Sequence, residues 1–351
     1  MQNEFEHIRS KLLYKTKGNH SSRESEDENE GGCKMKRVLT LLFVVALLFA
    51  MAMPTYAEEE AYKICFIAKS TDDFWKTVQG GTEKAAAEAG LEITQFIPQK
   101  ETSDFQVTLV EEAVLNGYDA IVLAPIDPEP LAYCCQAAIE AGVVVTLVDT
   151  LISTEDYAVA YCTNNLNAGK LAAQNMAERI GEEGKVYIIN SNPASTSNQD
   201  RENGFKDEIE ANYPNIEIVG VQYCNMDAAT AANQTMDALT ADPEIKGFYA
   251  CDANCTVGVA NGLLNMQRED VILGGFDSTT EEIALLEEQV IDFLIVQQPA
   301  YMGYLGTKAA IDILNGVEVA HEIVDTGCAV ATYENRETEE IQQLFYPLEY
   351  M

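Results

Sequence analysis

Residues 62–90 read YKICFIAKSTDDFWKTVQGGTEKAAAEAG, and the fold turns on how this stretch divides. Tyr62–Ala68 is an apolar run of strand length, and Phe74–Gly90 reads as a helix for which Gly90 is a natural stop. Between them two carboxylates, Asp72 and Asp73, stand directly before Phe74 and Trp75, the only tryptophan of the chain. A core would reject the acids, and a solvated loop has little use for the aromatics. The combination suits a surface that meets something both apolar and rich in hydroxyl groups.

The same alternation continues outward. LEITQFI, DAIVLAPI and VVVTLVDT are separated by helix-like DFQVTLVEEAVLNG and PEPLAYCCQAAIEAG. After AVAYCTNN it starts afresh, with KVYIINS, IEIVGVQY, KGFYACDA, VILGGFDS and IDFLIVQQ as strands between further helices, the last being AYMGYLGTKAAIDILNG. Strands alternating with helices of ten to fifteen residues predict parallel sheets covered on both faces. The near-continuous Val, Ile and Leu runs agree, because such strands are buried on both sides. The series is too long for one compact sheet, which places a domain change near Asn164.

In open parallel sheets, ligands sit beyond the carboxyl ends of the strands. Those ends carry Lys69–Trp75, Ile126-Asp127, Asp149-Thr150, Ser191–Gln199, Asp252–Asn254, Asp277-Ser278 and Gln297-Gln298. Asp and Asn there are also good caps for the helices after them. Capping alone does not explain why the series flanks one Phe-Trp pair.

The beginning of the chain is of another kind. From Met35, MKRVLTLLFVVALLFAMAMPTYAEEE has a basic start, an apolar run and a small-x-small site, the pattern of a secretory signal peptide (35–57) cut after Ala57. A retained membrane anchor is the competing reading. Residues 1–34 are polar and precede the charged start of the signal, so an upstream mis-start is expected there, with Met35 as the true first residue. The exported part is expected to work in the periplasm or cell envelope.

The whole sequence has a formal charge of −35. Residues 1–57 hold eight of its 22 Lys and Arg and seven of its 57 Asp and Glu, so their removal leaves −36. Such a field repels nucleic acid and anionic lipid, and neither is an expected partner. At 47% hydrophobic residues, packed cores rather than disorder are expected. Eight cysteines follow Ala57; they are scattered rather than laid out as a framework, and most read as free thiols. Pairing of Cys251 with Cys255, or of Cys134 or Cys135, is the alternative left open.

Catalytic chemistry finds few candidates. After Ala57 the single histidine is His321, so a Ser-His-Asp or Cys-His site lacks a base. No GxxxxGK[ST] loop occurs, nor GxGxxG after the first strand, and no His/Cys cluster suits a metal. The chain is read as a non-enzyme without cofactor or metal.

In KSTDDFW, TLVDT, CDANCTVGV, GGFDS and IVQQP the sequence resembles the ribose-type family of periplasmic sugar-binding proteins, the solute receptors of ABC importers. The resemblance covers roughly residues 61–335, with order and spacing of all five segments in agreement. It implies the type 1 periplasmic binding fold: two similar Rossmann-like α/β domains joined by three hinge crossovers, with ligand trapped in the cleft between them. The first lobe would comprise 61–163 and 299–325, the second 164–297 and 326–351.

Carried over by position, the resemblance assigns Asp72 to the place of a family asparagine and Phe74 and Trp75 to the aromatic pair. Asp149 matches an aspartate that grips sugar hydroxyls, and Asp252, Asp277 and Gln297 match polar contacts of the second lobe. Met226 stands where an aromatic often closes over the ring, and Lys69 is a further candidate site residue at the end of the first strand. Two arginines of the ribose binder are replaced by Thr150 and Gln199, which puts ribose itself in doubt; Arg201, two residues on, is expected to stabilise its loop. The implied function is capture of a monosaccharide or polyol by a monomer that delivers it to an ABC importer permease. The alternative ligand is a furanosyl autoinducer-class signal, because Lys69 and Asp252-Ala253-Asn254 resemble that branch. The alternative role is sensory partner of a membrane receptor. A repressor of the lactose-repressor family would need a helix-turn-helix where the signal peptide stands.

Overall fold

A computed structural model of the chain describes residues 61–351; the expected mis-start, signal peptide and cleavage site fall outside the described residues. Two six-stranded sheets repeat one strand order. The first is β2-β1-β3-β4-β5-β11, built from β1 (Ile64–Ile67), β2 (Ile93–Phe96), β3 (Ala120–Leu123), β4 (Val144–Val148), β5 (Ala160–Cys162) and β11 (Ile323–Asp325). All its pairings are parallel. The second is β7-β6-β8-β9-β10-β12, from β6 (Gly184–Asn190), β7 (Ile216–Tyr223), β8 (Ile245–Ala250), β9 (Ile272–Phe276), β10 (Phe293–Gln297) and β12 (Cys328–Ala331). Only β12 runs antiparallel to its neighbour.

The expected α/β architecture with parallel sheets is thus observed, and its cause is visible in the strands. Every residue of β1 and β3 in the first sheet and of β10 in the second is buried, so each sheet needs cover on both faces. In the first sheet α2 (Ser103–Leu115) and α3 (Pro128–Glu140) cover one face, and α1 (Asp73–Glu88) and α9 (Pro299–Leu314) the other. In the second, α4 (Asn165–Ile180) and α5 (Thr196–Asn212) lie on one side. The other side carries α6 (Ala228–Ala241), α7 (Ala253–Met266), α8 (Thr280–Glu287) and α10 (Glu339–Phe345).

Helix α9 follows a strand of the second sheet yet packs on the first, against α1. Their backbones meet where side chains are absent. A Cβ on Gly81 would lie 1.9 Å from the Ala300 carbonyl oxygen, and one on Gly303 2.2 Å from that of Val78. The last helix, α11 (Pro347–Tyr350), packs on α1 and α9, and Leu348 fills the space over Gly80. Within the 326–351 tail, α10 is anchored on the second sheet by Ile341 and Phe345, while α11 lies on α1 and α9, where Leu348 finds its apolar seat at Gly80.

The chain passes between sheets three times, between β5 and α4, between β10 and α9, and between β11 and β12. The passages lie side by side. Thr326 N–H donates to Cys162 O at 2.9 Å, Asn164 N–H to Asp325 Oδ1 at 3.0 Å, and the Thr163 hydroxyl to Gln297 Oε1 at 2.8 Å.

The cysteines Cys65 to Cys328 are all free. Cys251 and Cys255, left open as a pair, sit in cores on opposite faces of the second sheet. The strand direction at the end of β8 separates them. Cys255 faces Cys224 instead, with the sulfurs 3.3 Å apart.

Candidate functional site

The carboxyl ends of both sets of parallel strands converge on one cavity with an empty volume of about 630 Å³, part of it open to solvent. Of the residues expected from sequence, Lys69, Asp72, Phe74, Trp75 and Asp149 line it from the first sheet, Met226, Asp252 and Asp277 from the second, and Gln297 from the crossing between them. Gln199 does not reach it. On α5 it points to solvent, and its amide donates to the Pro193 carbonyl. The helical rotation that turns Gln199 outward turns Ser197, Asn198 and Arg201 inward, so Arg201, expected to be a loop stabiliser, lines the cavity.

Lys69 and Asp149 form the floor on the first-sheet side. Lys69 Nζ donates to Asp149 Oδ2 at 2.7 Å and to the Thr150 hydroxyl, with the two side chains 10% and 6% exposed. Burial pushes the Asp149 carboxyl up, but the Lys69 and Arg201 charges and the bonds from Lys69 and Thr150 outweigh it and hold the group below the usual carboxylate range. Asp149 has φ +67°, a left-handed conformation uncommon for a non-glycine residue. It turns the chain at the end of β4 and presents the carboxylate to the cavity.

Asp72 and Asp252 serve two ends at once. Asp72 is the N-cap of α1, its Oδ1 accepting from Trp75 N–H at 3.2 Å and its Oδ2 from the Ser70 hydroxyl at 2.6 Å. Burial raises its pKa, the neighbouring Asp252 charge adds to this, and those bonds oppose it. Asp252 caps α7 through Oδ1, which accepts from Cys255 N–H at 2.9 Å. Among the described residues no hydrogen bond engages its Oδ2. Capping and cavity lining are therefore not alternatives: at Asp252 the cap uses one carboxylate oxygen and leaves the other.

Asp277, at φ +86°, accepts from Gln297 Nε2 at 2.6 Å and from Ala253 N–H at 3.3 Å. Burial is the main reason its pKa rises to about 6; the Asp252 and Asp149 charges add to it, while Arg201 and Gln297 pull the other way. The Arg201 guanidinium lies 3.6 Å from the Phe276 ring centre and donates to Asn165 Oδ1 and the Cys251 carbonyl, each at 2.8 Å. Stacking and both bonds fix its plane.

Phe74 and Trp75 form the apolar wall, edge to face with centroids 5.0 Å apart. Trp75 is 5% exposed and packs into the core beside Phe66, so it is a core residue as well as a lining one; Phe74 is half-buried and more open to the cavity. Ser191, buried with no hydrogen-bond partner for its hydroxyl, and Asn254 complete the lining. Both fall within strand ends the sequence marked. The arrangement offers carboxylate acceptors, amide and hydroxyl groups of both polarities and one ring face. His321 stands apart, its Nδ1 3.0 Å from the Tyr157 carbonyl oxygen.

One family, described as a periplasmic binding protein domain, matches residues 64–318. The ribose import binding protein of Bacillus subtilis is 24% identical over 257 residues, 73% of this chain and 83% of its own. A carbohydrate transporter solute binding protein from Agrobacterium radiobacter, solved with D-arabinose, has a TM-score of 0.79 at 29% identity, covering 82% of this chain and 99% of that one. An ABC transporter solute binding protein from Agrobacterium vitis with bound D-fucose has a TM-score of 0.78 at 30% identity, covering 81% and 100%.

Proposed function

The chain belongs to the periplasmic binding protein domain family, and on that premise we propose that it captures a monosaccharide or related polyol outside the cytoplasmic membrane and delivers it, as a monomer, to an ABC importer. The two lobes are taken as 61–163 with 299–325, and 164–297 with 326–346, each sheet with its own helices. The observation that carries this reading is the convergence of Asp72, Asp149, Asp252 and Asp277 from both sheets beside Phe74 in one cavity. Sugars present C–H faces that stack on rings and hydroxyl edges that need acceptors. An ionised carboxylate accepts strong charge-assisted bonds from hydroxyls. Each is worth about 1.5–3 kcal/mol net, so a few of them with stacking outweigh the cost of ordering. A ligand touching both sheets stabilises the closed arrangement by its differential affinity. Binding and release, rather than bond chemistry, are the role assigned to these residues. The arabinose and fucose of the similar solved structures support a five- or six-carbon sugar.

The presence of Lys69 and Asn254 in the cavity favours one second reading, a furanosyl autoinducer-class signal, with a membrane sensor in place of the permease. Thermal unfolding against pentoses, hexoses, deoxysugars, inositols and the furanosyl signal tests both. A concentration-dependent rise in Tm with one compound is what linkage requires of a native-state ligand. No rise with any compound, from a cooperatively folded sample, would overturn the sugar reading.

A further inference from the structure

We propose that Cys224 and Cys255 are a disulfide-forming pair whose bond ties the Met226 turn to the first turn of α7, bracing one wall of the cavity. Their sulfurs lie 3.3 Å apart, and both residues are buried, at 1% and 0% exposure. Each backbone is held in place. Cys224 N–H extends the sheet by donating to Asn190 O at 2.8 Å, and Cys255 N–H donates to its helix cap Asp252 at 2.9 Å. Only a closing movement of the two side chains separates the thiols from a bond, because disulfide geometry asks for sulfurs about 2.05 Å apart on neighbouring Cβ atoms.

No other cysteine competes. Cys251, nearest to Cys255 in sequence, packs on the opposite face of the sheet, and Cys162 belongs to the first sheet. The pairing therefore joins residues 31 positions apart, from the end of β7 to the start of α7.

The cavity wall is the part such a bond would hold. Met226 follows Cys224 by two residues, through Asn225 at φ +53° and with its own φ at +64°. Two successive left-handed non-glycine residues need their surroundings to keep them there. Asp252 precedes Cys255 by three residues in the cap of the same turn. A cross-link sets the distance between these two lining residues, whatever ligand the cavity takes.

The chemistry needs a disulfide oxidant, such as oxidised glutathione. The Cys224 thiolate attacks one glutathione sulfur, and the first glutathione thiolate leaves. The Cys255 thiolate then attacks the Cys224 sulfur of the mixed disulfide and expels the second. Two protons and two electrons pass from the protein to glutathione, giving two glutathione thiols. Because both thiols are buried, the exchange belongs to the folding chain.

The test is to refold the protein in a mixture of reduced and oxidised glutathione, block free thiols, digest without reduction and map the peptides. The expected result is a cross-linked species joining Cys224 to Cys255. The oxidised protein should melt about 5–10 °C above the protein kept in dithiothreitol, from the constraint on a loop of this length. Cys224→Ala and Cys255→Ala should lose both the cross-link and the redox-dependent shift, and Cys134→Ala should keep both. Recovery of Cys224 and Cys255 as blocked free thiols, linkage of either to another cysteine, or equal melting of oxidised and reduced wild type overturns the proposal. The wild-type comparison stands even where a variant fails to fold.

Discussion

Replacing Lys69 with Met keeps an unbranched side chain, one atom shorter, and removes its charge. The ammonium sits 2.7 Å from Asp149 Oδ2, with only 10% and 6% of the two side chains exposed, so water cannot replace it freely. Breaking a buried pair from one side typically costs about 3–5 kcal/mol, because the other charge stays behind uncompensated. Arg201 and the Thr150 hydroxyl still face Asp149, which favours the lower end of that range. At this chain length the expected fall in Tm is about 5–8 °C at pH 7.5. The pH dependence is set by the sign of the shift. Asp149 has its folded pKa depressed below the ordinary 3.8, so the pair's stabilisation is present above that value and lost as pH falls through the folded pKa. The deficit of Lys69→Met should accordingly be full at neutral pH and shrink in acid below about pH 4. The double variant Lys69→Met/Asp149→Asn removes both charges and should be less destabilised than the sum of the two single variants by about 2 kcal/mol. Differential scanning calorimetry of the four proteins at several pH values measures the cycle. A single variant that melts within 2 °C of wild type, or a double variant whose loss equals the sum, refutes the argued coupling.

Asp277→Asn tests the opposite sign: a folded pKa of about 6 against 3.8 unfolded means ionisation costs stability above pH 6 and nothing below pH 4. The variant should melt a few °C higher than wild type at pH 7.5 and alike at pH 4, while its affinity for the sugar identified in the panel falls at least tenfold by calorimetric titration; an acid-side gain instead would contradict it. Phe74→Ala should cost about tenfold in sugar affinity with little change in Tm, whereas Trp75→Ala should cost about 3–5 kcal/mol of stability by urea unfolding, since only Trp75 is core. Gly81→Ala should destabilise by about 2 kcal/mol or more because its Cβ meets the Ala300 carbonyl, a backbone atom, while Gly80→Ala meets only the Leu348 side chain, which can rotate, and should cost under about 1 kcal/mol. Equal losses at the two glycines would show that α1 and α9 part more readily than their contact implies.

Residue type and order alone determined the alternation of strands and helices, the restart after Asn164 and the polar strand ends, because each is a local matter of apolar run length and of the residues that end the run. The strands buried at every position, β1, β3 and β10, were the most legible for that reason. The short late elements were not: β11 and β12 have three and four residues and exist through their partners, β5 and β10. Likewise α11 has no apolar period of its own, and its place over Gly80 depends on a helix more than 250 positions earlier.

At the cavity, position in sequence named the strand ends but not the direction of side chains beyond them. Gln199 and Arg201 lie two residues apart on one helix, and the rotation between them sends one to solvent and the other to the Phe276 ring. Asp149 and Asp277 face inward by way of positive φ values, which no pattern of residue types announces. The charge states also belong to the tertiary structure. Asp149 and Asp277 are the same residue at the same kind of strand end, and one is held low by Lys69 while the other is pushed up by burial among acids. Which thiol meets Cys255 was decided in the same way, by the sheet that separates it from Cys251 and brings Cys224 beside it. Local periodicity is written in neighbouring residues; the direction and surroundings of a side chain are set by residues far along the chain, and only the folded packing brings those together.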